Sequence, residues 1–252
     1  MDFFYSDDIS DGIIKLNTHE SKHCIRVLRK KEGESLNIVD GKGTLFQGKL
    51  ISVTKKNCHV KIDKIFENYS CRDYYIHIAI SPTKNHDRIE WFVEKSIEIG
   101  VDEISFIQCE RTLRKKIKIE RLHRTALSAM KQTLKAKIPI INDIIDFDHF
   151  VKINNKSNMY ICHLENENRK DLFHYRKKIS NNFKHCILIG PEGDFTYSEI
   201  KLSKKMNFYP ITLKQLSIKL YEDTHDQLYQ SHSYDHSFEF ELTILKNTKM
   251  MN

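Results

Sequence analysis

The stretch Ile189-Gly190-Pro191-Glu192-Gly193-Asp194-Phe195, running out of the apolar Cys186-Ile187-Leu188-Ile189, decides how this 252-residue chain is read. A short apolar run ending in Gly-Pro-Glu-Gly is the pattern of a buried strand that breaks into a loop, where two glycines admit a ligand close to the backbone and Pro191 stiffens the turn. Directly after it, Thr196 with Glu199 three residues on forms a capping box, so a helix is expected to start at the loop and turn its free N–H groups toward the same space. An ordinary strand-to-helix connection has the same composition, and on the loop alone both readings stand.

Working outward, residues from Tyr74 onward alternate between two periodicities. Strands are predicted at 75–80, 104–108, 159–163 and 186–189. Helices are predicted at 87–99, with Ile89, Phe92, Val93 and Ile97 on one face, and at 119–136, with Leu122, Ala126, Ala129, Met130 and Leu134 on one face. Such alternation implies a parallel sheet flanked by helices, whose ligands sit outside the carboxyl ends of the strands, where the Gly-Pro-Glu-Gly loop emerges. Residues 152–158 and 166–182 read as polar connectors. Before Tyr74 the pattern is different. Residues 35–39, 44–53 and 58–66 carry β-branched and aromatic residues around the hairpin signal Asp40-Gly41-Lys42-Gly43, which predicts a small β-barrel or sheet. Residues 18–28 read as a short helix capped by Thr18 and ending in Arg29-Lys30-Lys31. His19 and His23 lie four apart on its face, a metal-ligand spacing with no third ligand evident. The expected organisation is α/β, with one domain over 1–70 and a second over 74–252.

The net charge is +7, and its location matters more than its size. Between Glu110 and Lys137, ten basic residues stand against two acidic ones, so this stretch holds the whole excess, and it contains four of the ten arginines. A basic cluster on a neutral body is the footprint of a phosphate-binding face, because each neutralised phosphate releases counterions and arginine's planar fork suits phosphate. A solvated, lysine-rich surface is the alternative. The mean hydropathy is −0.53, no apolar run approaches the roughly 18–20 residues that span a bilayer, and Met1 to Asp8 lack the features of a signal peptide. A cytoplasmic location without a membrane partner is expected. The six cysteines include no C-x-x-C pair, which argues against zinc and disulfides and favours small core residues.

The ordered segments 81–91 (Ser-Pro-Thr-Lys-Asn-His-Asp-Arg-Ile-Glu-Trp), 94–104, Cys109-Glu110-Arg111-Thr112, Ala129-Met130-Lys131-Gln132-Thr133 and 189–195 together resemble the motifs of the bacterial small-subunit (16S) ribosomal RNA uridine-N3 methyltransferases of the SPOUT superfamily. Ser21 to Arg29 and Val39 to Gly43 are similar to that family's N-terminal domain, so the resemblance covers about residues 1–213. It implies an N-terminal PUA-like β-barrel for RNA, a C-terminal SPOUT α/β domain with a trefoil knot, S-adenosylmethionine in the knot loops, a homodimer, and 16S rRNA or the small ribosomal subunit as partner. Carried over by position, the cofactor would meet His163, Ile189, Gly190, Pro191, Glu192, Gly193 and Leu213. Arg111 and Lys219 would be catalytic, and Arg26, Arg29, Arg88, Arg111, Arg114, Arg124 and Lys131 would bind RNA. The implied chemistry is methyl transfer to a uridine N3 that is protonated at neutral pH, and positive residues and backbone N–H groups can stabilise the deprotonated base without a metal.

The resemblance breaks in the tail, 212–252. Lys214 stands where the family has glycine, no glycine follows Gly193 and no arginine follows Arg176. Lys219 falls at the family's arginine without gaps, or Tyr221 does with two inserted residues, and neither carries a bidentate fork. Residues 225–252 are more polar than the family's final buried helix, as in a frameshifted gene or a divergent terminus, and this puts completion of the knot in question. Two functions are therefore expected in competition: an active S-adenosylmethionine-dependent rRNA methyltransferase, and a catalytically impaired RNA-binding relative. A third, a small-molecule α/β protein with an incidental basic surface, draws on the composition alone.

Overall fold

β-branched residues alternating with polar ones build the N-terminal sheet, and apolar runs build the C-terminal one. A computed structural model describes residues 2–54, 57–72, 74–154, 158–165, 169–171 and 184–212. The chain divides into two compact units: Met1–Arg72 with Arg124–Ile138, and Asp73–His123 with Pro139–Asn252. Residues 124–138, expected in the second domain, belong instead to the first unit.

In the first unit, strands β1 (Phe3–Tyr5), β2 (Ile9–Ser10), β3 (Ile13–Leu16), β4 (Ser35–Val39), β5 (Leu45–Val53) and β6 (Cys58–Phe66) form one sheet in the order β1-β4-β5-β6-β3-β2. The β1–β4 pair is parallel and the other neighbours are antiparallel. Along β3 the period of two is plain: Ile14 and Leu16 are buried while Ile13 and Lys15 face out. The sheet wraps a core containing Phe4, Ile14, Leu16, Leu36, Ile38, Phe46, Leu50 and Val60, together with Cys24 and Cys58. Burial, and after it the neighbouring Cys58, pushes the Cys24 thiol up to about 12. In the β4–β5 hairpin the Asp40 carboxylate accepts from the N–H groups of Lys42 at 2.8 Å and Thr44 at 3.0 Å, and Gly41 and Gly43 take the positive φ that the turn requires.

Helix α1 (Thr18–Lys22) departs from expectation at both ends. Its N-cap is Asn17, which accepts from the Glu20 N–H at 2.9 Å, not Thr18; asparagine is the better cap, and it comes one residue earlier. The helix continues as a π-helical segment, His23–Val27, and closes at Arg29 with φ 53°. His23 thus lies outside the α-helical repeat that would stack it over His19, which sits 3.6 Å from Glu20. Among the described residues no group of three or more metal-ligating side chains occurs.

Helix α3 (Ile119–Gln132) begins in the second unit and from Arg124 belongs to the first. The expected extension to 136 fails because the chain turns left-handed at Leu134 (φ 55°), with Lys135 N–H returning to Met130 O at 3.0 Å in a Schellman closure. No glycine or proline announces this stop. Within the first unit, Lys131 Nζ meets Glu20 Oε1 at 2.5 Å, and Glu20 is buried and also accepts from the Tyr5 N–H. Gly43 N–H to Ala136 O and Ile138 N–H to Gly41 O fasten the segment after the helix to the hairpin.

The second unit holds a sheet in which each neighbouring pair runs parallel, in the order β11-β13-β10-β12-β7-β8-β9. Its strands are β7 (Tyr75–Ile80), β8 (Glu103–Gln108), β9 (Ile140–Asp146), β10 (Asn158–Cys162), β11 (Lys170–Asp171), β12 (Lys184–Ile189) and β13 (Tyr209–Thr212). Among the described residues its helices are α2 (His86–Ile99), α4 (Phe147–Ile153) and α5 (Tyr197–Lys205), besides the start of α3. On one side, Ala79, Ile107, Met159, Ile161, Cys186 and Leu188 pack with Phe147, Phe150 and Val151 of α4 and Ile200 of α5. β9, α4, β11 and β13 lie outside the expected elements. Residues 152–158, expected as a connector, contain the end of α4 and the first residue of β10. The expected trefoil knot would close through residues 213–252, outside the described residues.

Candidate active site

Because the strands are parallel, the loops after β7, β8, β10 and β12 all leave the same edge of the second unit's sheet. The order places β12 between β10 and β7, so loops distant in sequence become neighbours. Ser81 N–H donates to Ile189 O at 2.9 Å, carrying the β7–β12 ladder one step past Ile80. Ile80, Pro82, Ile89, Phe92 and Phe106 line a small hollow there with Arg88 beside them.

The loop after β12 is held by its neighbours through side-chain to backbone hydrogen bonds. Glu192 Oε1 accepts from the Lys84 N–H of the β7 loop at 2.9 Å, and Gly193 O accepts from Arg111 Nη1 of the β8 loop at 2.7 Å. Asp194 Oδ2 accepts from the Leu164 N–H of the β10 loop at 2.6 Å. Arg114 clamps the β7 loop, donating to Lys84 O from Nη2 at 2.5 Å and from Nε at 3.1 Å. The capping box expected at Thr196 is present: Thr196 accepts from the Glu199 N–H, and Glu199 Oε2 accepts from the Thr196 N–H at 2.7 Å. The other oxygen of Glu199 accepts from the Glu110 N–H at 2.8 Å, joining the cap to the β8 loop.

Both glycines of the loop are explained in part by its own packing. A Cβ at Gly190 would lie 3.0 Å from the Phe195 ring, a buried core group, so glycine lets the chain fold back over Phe195. A Cβ at Gly193 would lie 3.3 Å from Cδ of Arg111. The β8 loop is closed by Thr112, whose Oγ1 accepts from the Cys109 N–H at 2.7 Å and is 2.8 Å from Ser81 Oγ. Burial, and after it the Glu199 carboxylate, pushes the Cys109 thiol well above its ordinary range, so it stays protonated and is no nucleophile at neutral pH.

Of the residues singled out in the sequence, Arg88, Arg111, Arg114, His163, Ile189, Gly190, Pro191, Glu192 and Gly193 fall in the strand-end loops or their flanks in the second unit. His163 is buried, and its carbonyl accepts from Arg169. Arg26, Arg29, Arg124 and Lys131 belong to the first unit, where Arg26, Arg29 and Arg124 are exposed and Lys131 is engaged by Glu20. Leu213, Lys214, Lys219 and Tyr221, on which the impaired reading rests, lie outside the described residues. Sequence reading passes over Lys84, Asp194 and the second role of Glu199. Only the last has a local signal, its place in the capping box.

Residues 71–219 match the family model described as an RNA methyltransferase domain, and residues 16–63 match that of an RNA methyltransferase PUA domain. The ribosomal RNA small subunit methyltransferase E of Buchnera aphidicola is 28% identical over 224 residues, covering 83% of this chain and 84% of its own. A solved structure described as a probable rRNA-methyltransferase from Porphyromonas gingivalis has a TM-score of 0.79 at 30% identity, covering 100% of this chain and 99% of that one. The small subunit methyltransferase E of Neisseria gonorrhoeae, solved bound to S-adenosyl methionine, has a TM-score of 0.76 at 20% identity with 100% and 96% covered, a likeness of fold. A PUA-like sheet unit followed by a SPOUT-type parallel α/β unit is the architecture expected from the sequence. The family match runs past Leu213 to residue 219, through part of the divergent tail, and with both domains matched in order the chain belongs to the RNA methyltransferase family.

Proposed function

We propose that this chain methylates N3 of a uridine in 16S rRNA of the small ribosomal subunit, with S-adenosylmethionine as methyl donor. The observation that carries the reading is the convergence of the β7, β8, β10 and β12 loops on one sheet edge, in a chain whose curated relatives are named small subunit methyltransferases.

The loops fit the cofactor chemically. Buried Ile189, Pro191 and His163 offer an apolar and aromatic lining for the adenine and thioether portions, and the backbone of 190–193 offers amide and carbonyl partners for its polar edges. When bound, S-adenosylmethionine supplies a sulfonium methyl group to a nucleophile. The protein's own task is to favour the uracil anion: N3 gives its proton to water, and the positive field of Arg111, held beside Gly193, and of Arg114, held over the β7 loop, stabilises the resulting charge. In the first unit, the exposed Arg26, in the last turn of the π-helical segment, and Arg29, which follows it, would meet RNA phosphates. The finer reading adds RNA binding by the first unit, methyl transfer by the second, a homodimer, and action in the cytoplasm during ribosome maturation. Among the described residues no helix is long and apolar enough to cross a membrane.

The test is incubation of the full chain with labelled S-adenosylmethionine and small subunits that lack the modification, followed by nucleoside mass spectrometry. N3-methyluridine at a single 16S position is expected. Tight cofactor binding with no transfer would overturn the activity in favour of the impaired relative.

A further inference from the structure

We propose that Asp194 is a positioning residue whose carboxylate latches the loop after β10 to the loop after β12, and so sets the separation of the two loops that hold the methyl donor. The inference rests on the cofactor reading above and goes beyond it in assigning a residue that makes the site's shape.

Three observations meet at this residue. The β10–β12 ladder ends at the pair Cys162 and Ile189, and past it both chains leave the sheet. Beyond it, the Leu164 N–H donates to Asp194 Oδ2 at 2.6 Å, a bond between residues thirty apart in sequence. Asp194 also has φ 61°, a left-handed conformation that glycine adopts without strain, and its N–H closes the turn on Pro191 O at 3.0 Å. A side chain at such a position is unfavourable unless it makes a compensating contact, and aspartate is among the few residues that tolerate it.

The latch is one of three around the same loop. Glu192 fixes it to the β7 loop and Arg111 to the β8 loop. Asp194 alone among these reaches the β10 loop, which carries His163. Removing it takes away one of the bonds that hold the β10 loop to this turn, and ligand binding would have to supply that share of the ordering.

The experiment compares the unaltered full chain with Asp194→Gly and Asp194→Asn by calorimetric titration with S-adenosylmethionine, by hydrogen exchange of the Leu164 amide without cofactor, and by thermal melting. Glycine relaxes the backbone and removes the acceptor, whereas asparagine keeps both an acceptor oxygen and tolerance of positive φ. Asp194→Gly is expected to melt no lower than the parent, to exchange at Leu164 about tenfold faster, and to bind S-adenosylmethionine about tenfold more weakly. Asp194→Asn is expected to recover both within about threefold. A turn residue with no positioning role gives a different result: in Asp194→Gly the Leu164 exchange and the S-adenosylmethionine affinity match the parent whatever the melting temperature does, and this overturns the proposal. If the parent itself fails to bind S-adenosylmethionine, the cofactor reading falls, and Leu164 exchange still decides whether the latch exists.

Discussion

The two edges of the parallel sheet in the second unit use most of their polar side chains differently, although Asp102 at the amino edge also accepts from the Ile76 N–H and Ser81 at the carboxyl edge pairs with Thr112. Near the amino ends of the strands the polar groups satisfy one another. Tyr75 OH donates to Glu103 Oε2 at 2.8 Å, Asn142 Nδ2 donates to Glu103 Oε1 at 2.7 Å and to Ser105 Oγ at 2.8 Å, and His77 Nε2 lies 2.8 Å from Ser105 Oγ. At the carboxyl edge, Arg111, Arg114, Glu192, Asp194 and Glu199 instead bond backbone groups of neighbouring loops. A network of side chains stabilises a fixed interior; side chains bonded to backbone hold a loop in shape while leaving its remaining groups to face a ligand.

Glu103 is the substitution that should separate the edges most. Glu103→Ala leaves Tyr75 OH and Asn142 without their shared acceptor and should lower stability by about 3 kcal/mol in denaturant titration, with cofactor affinity of the folded fraction unchanged. Gly190→Ala comes next, at about 2 kcal/mol, because the new methyl meets the rigid Phe195 ring instead of a flexible chain, and here affinity should fall along with stability. A Gly190→Ala variant with parental melting would show that the ring gives way, and would weaken the contrast.

His77 offers a pH test of the amino edge. Burial holds its folded pKa below the ordinary 6.5, against the opposing pull of Glu103, so the unfolded chain binds the proton first. Its contribution is fully present above pH 6.5 and is lost as pH falls through the folded value. Melting temperature should therefore drop on acidification from neutral pH, and His77→Gln should shallow that slope. The slope should not vanish, because burial also lowers the pKa of His185. The smallest effect belongs to Gly193→Ala: stability within about 0.5 kcal/mol, because Cδ of Arg111 can move aside, but weaker S-adenosylmethionine binding in titration. Parental affinity in that variant would mean that the ligand does not approach Gly193.

How much of this was legible depends on the distance between the interacting groups. β5, β6, β7, β8 and β12 announce themselves through alternation or short apolar runs, and the capping box at Thr196 and Glu199 is a local rule with a local signature. β9 hides because the doublets of Ile140-Ile141-Asn142-Asp143-Ile144-Ile145 match neither period, and its register shifts against β8 between Ile104 and Phe106. α4 follows it at once, capped by Asp146, with no loop to separate the two elements. In the site, the glycines and Glu192 could be singled out from the motif, but the partner of each could not. Lys84 and Glu192, Arg111 and Gly193, and Leu164 and Asp194 are brought together by strand order, which leaves no mark in local sequence. The same limit applies to Lys131, counted among the basic residues yet paired with a glutamate 111 positions away.

That pairing bears on the order of events during synthesis. The first unit takes Lys131 and the segment through Ile138 into its structure, so it is not complete when Arg72 leaves the ribosome. At about 5–20 residues per second, translation from Arg72 to Ile138 takes roughly 3–13 s, during which Glu20 lacks the Lys131 ammonium and the hairpin at Gly41 and Gly43 lacks its backbone partners at Ala136 and Ile138. The nascent N-terminal sheet therefore waits, in a partly finished state, for a stretch of chain encoded inside the neighbouring unit.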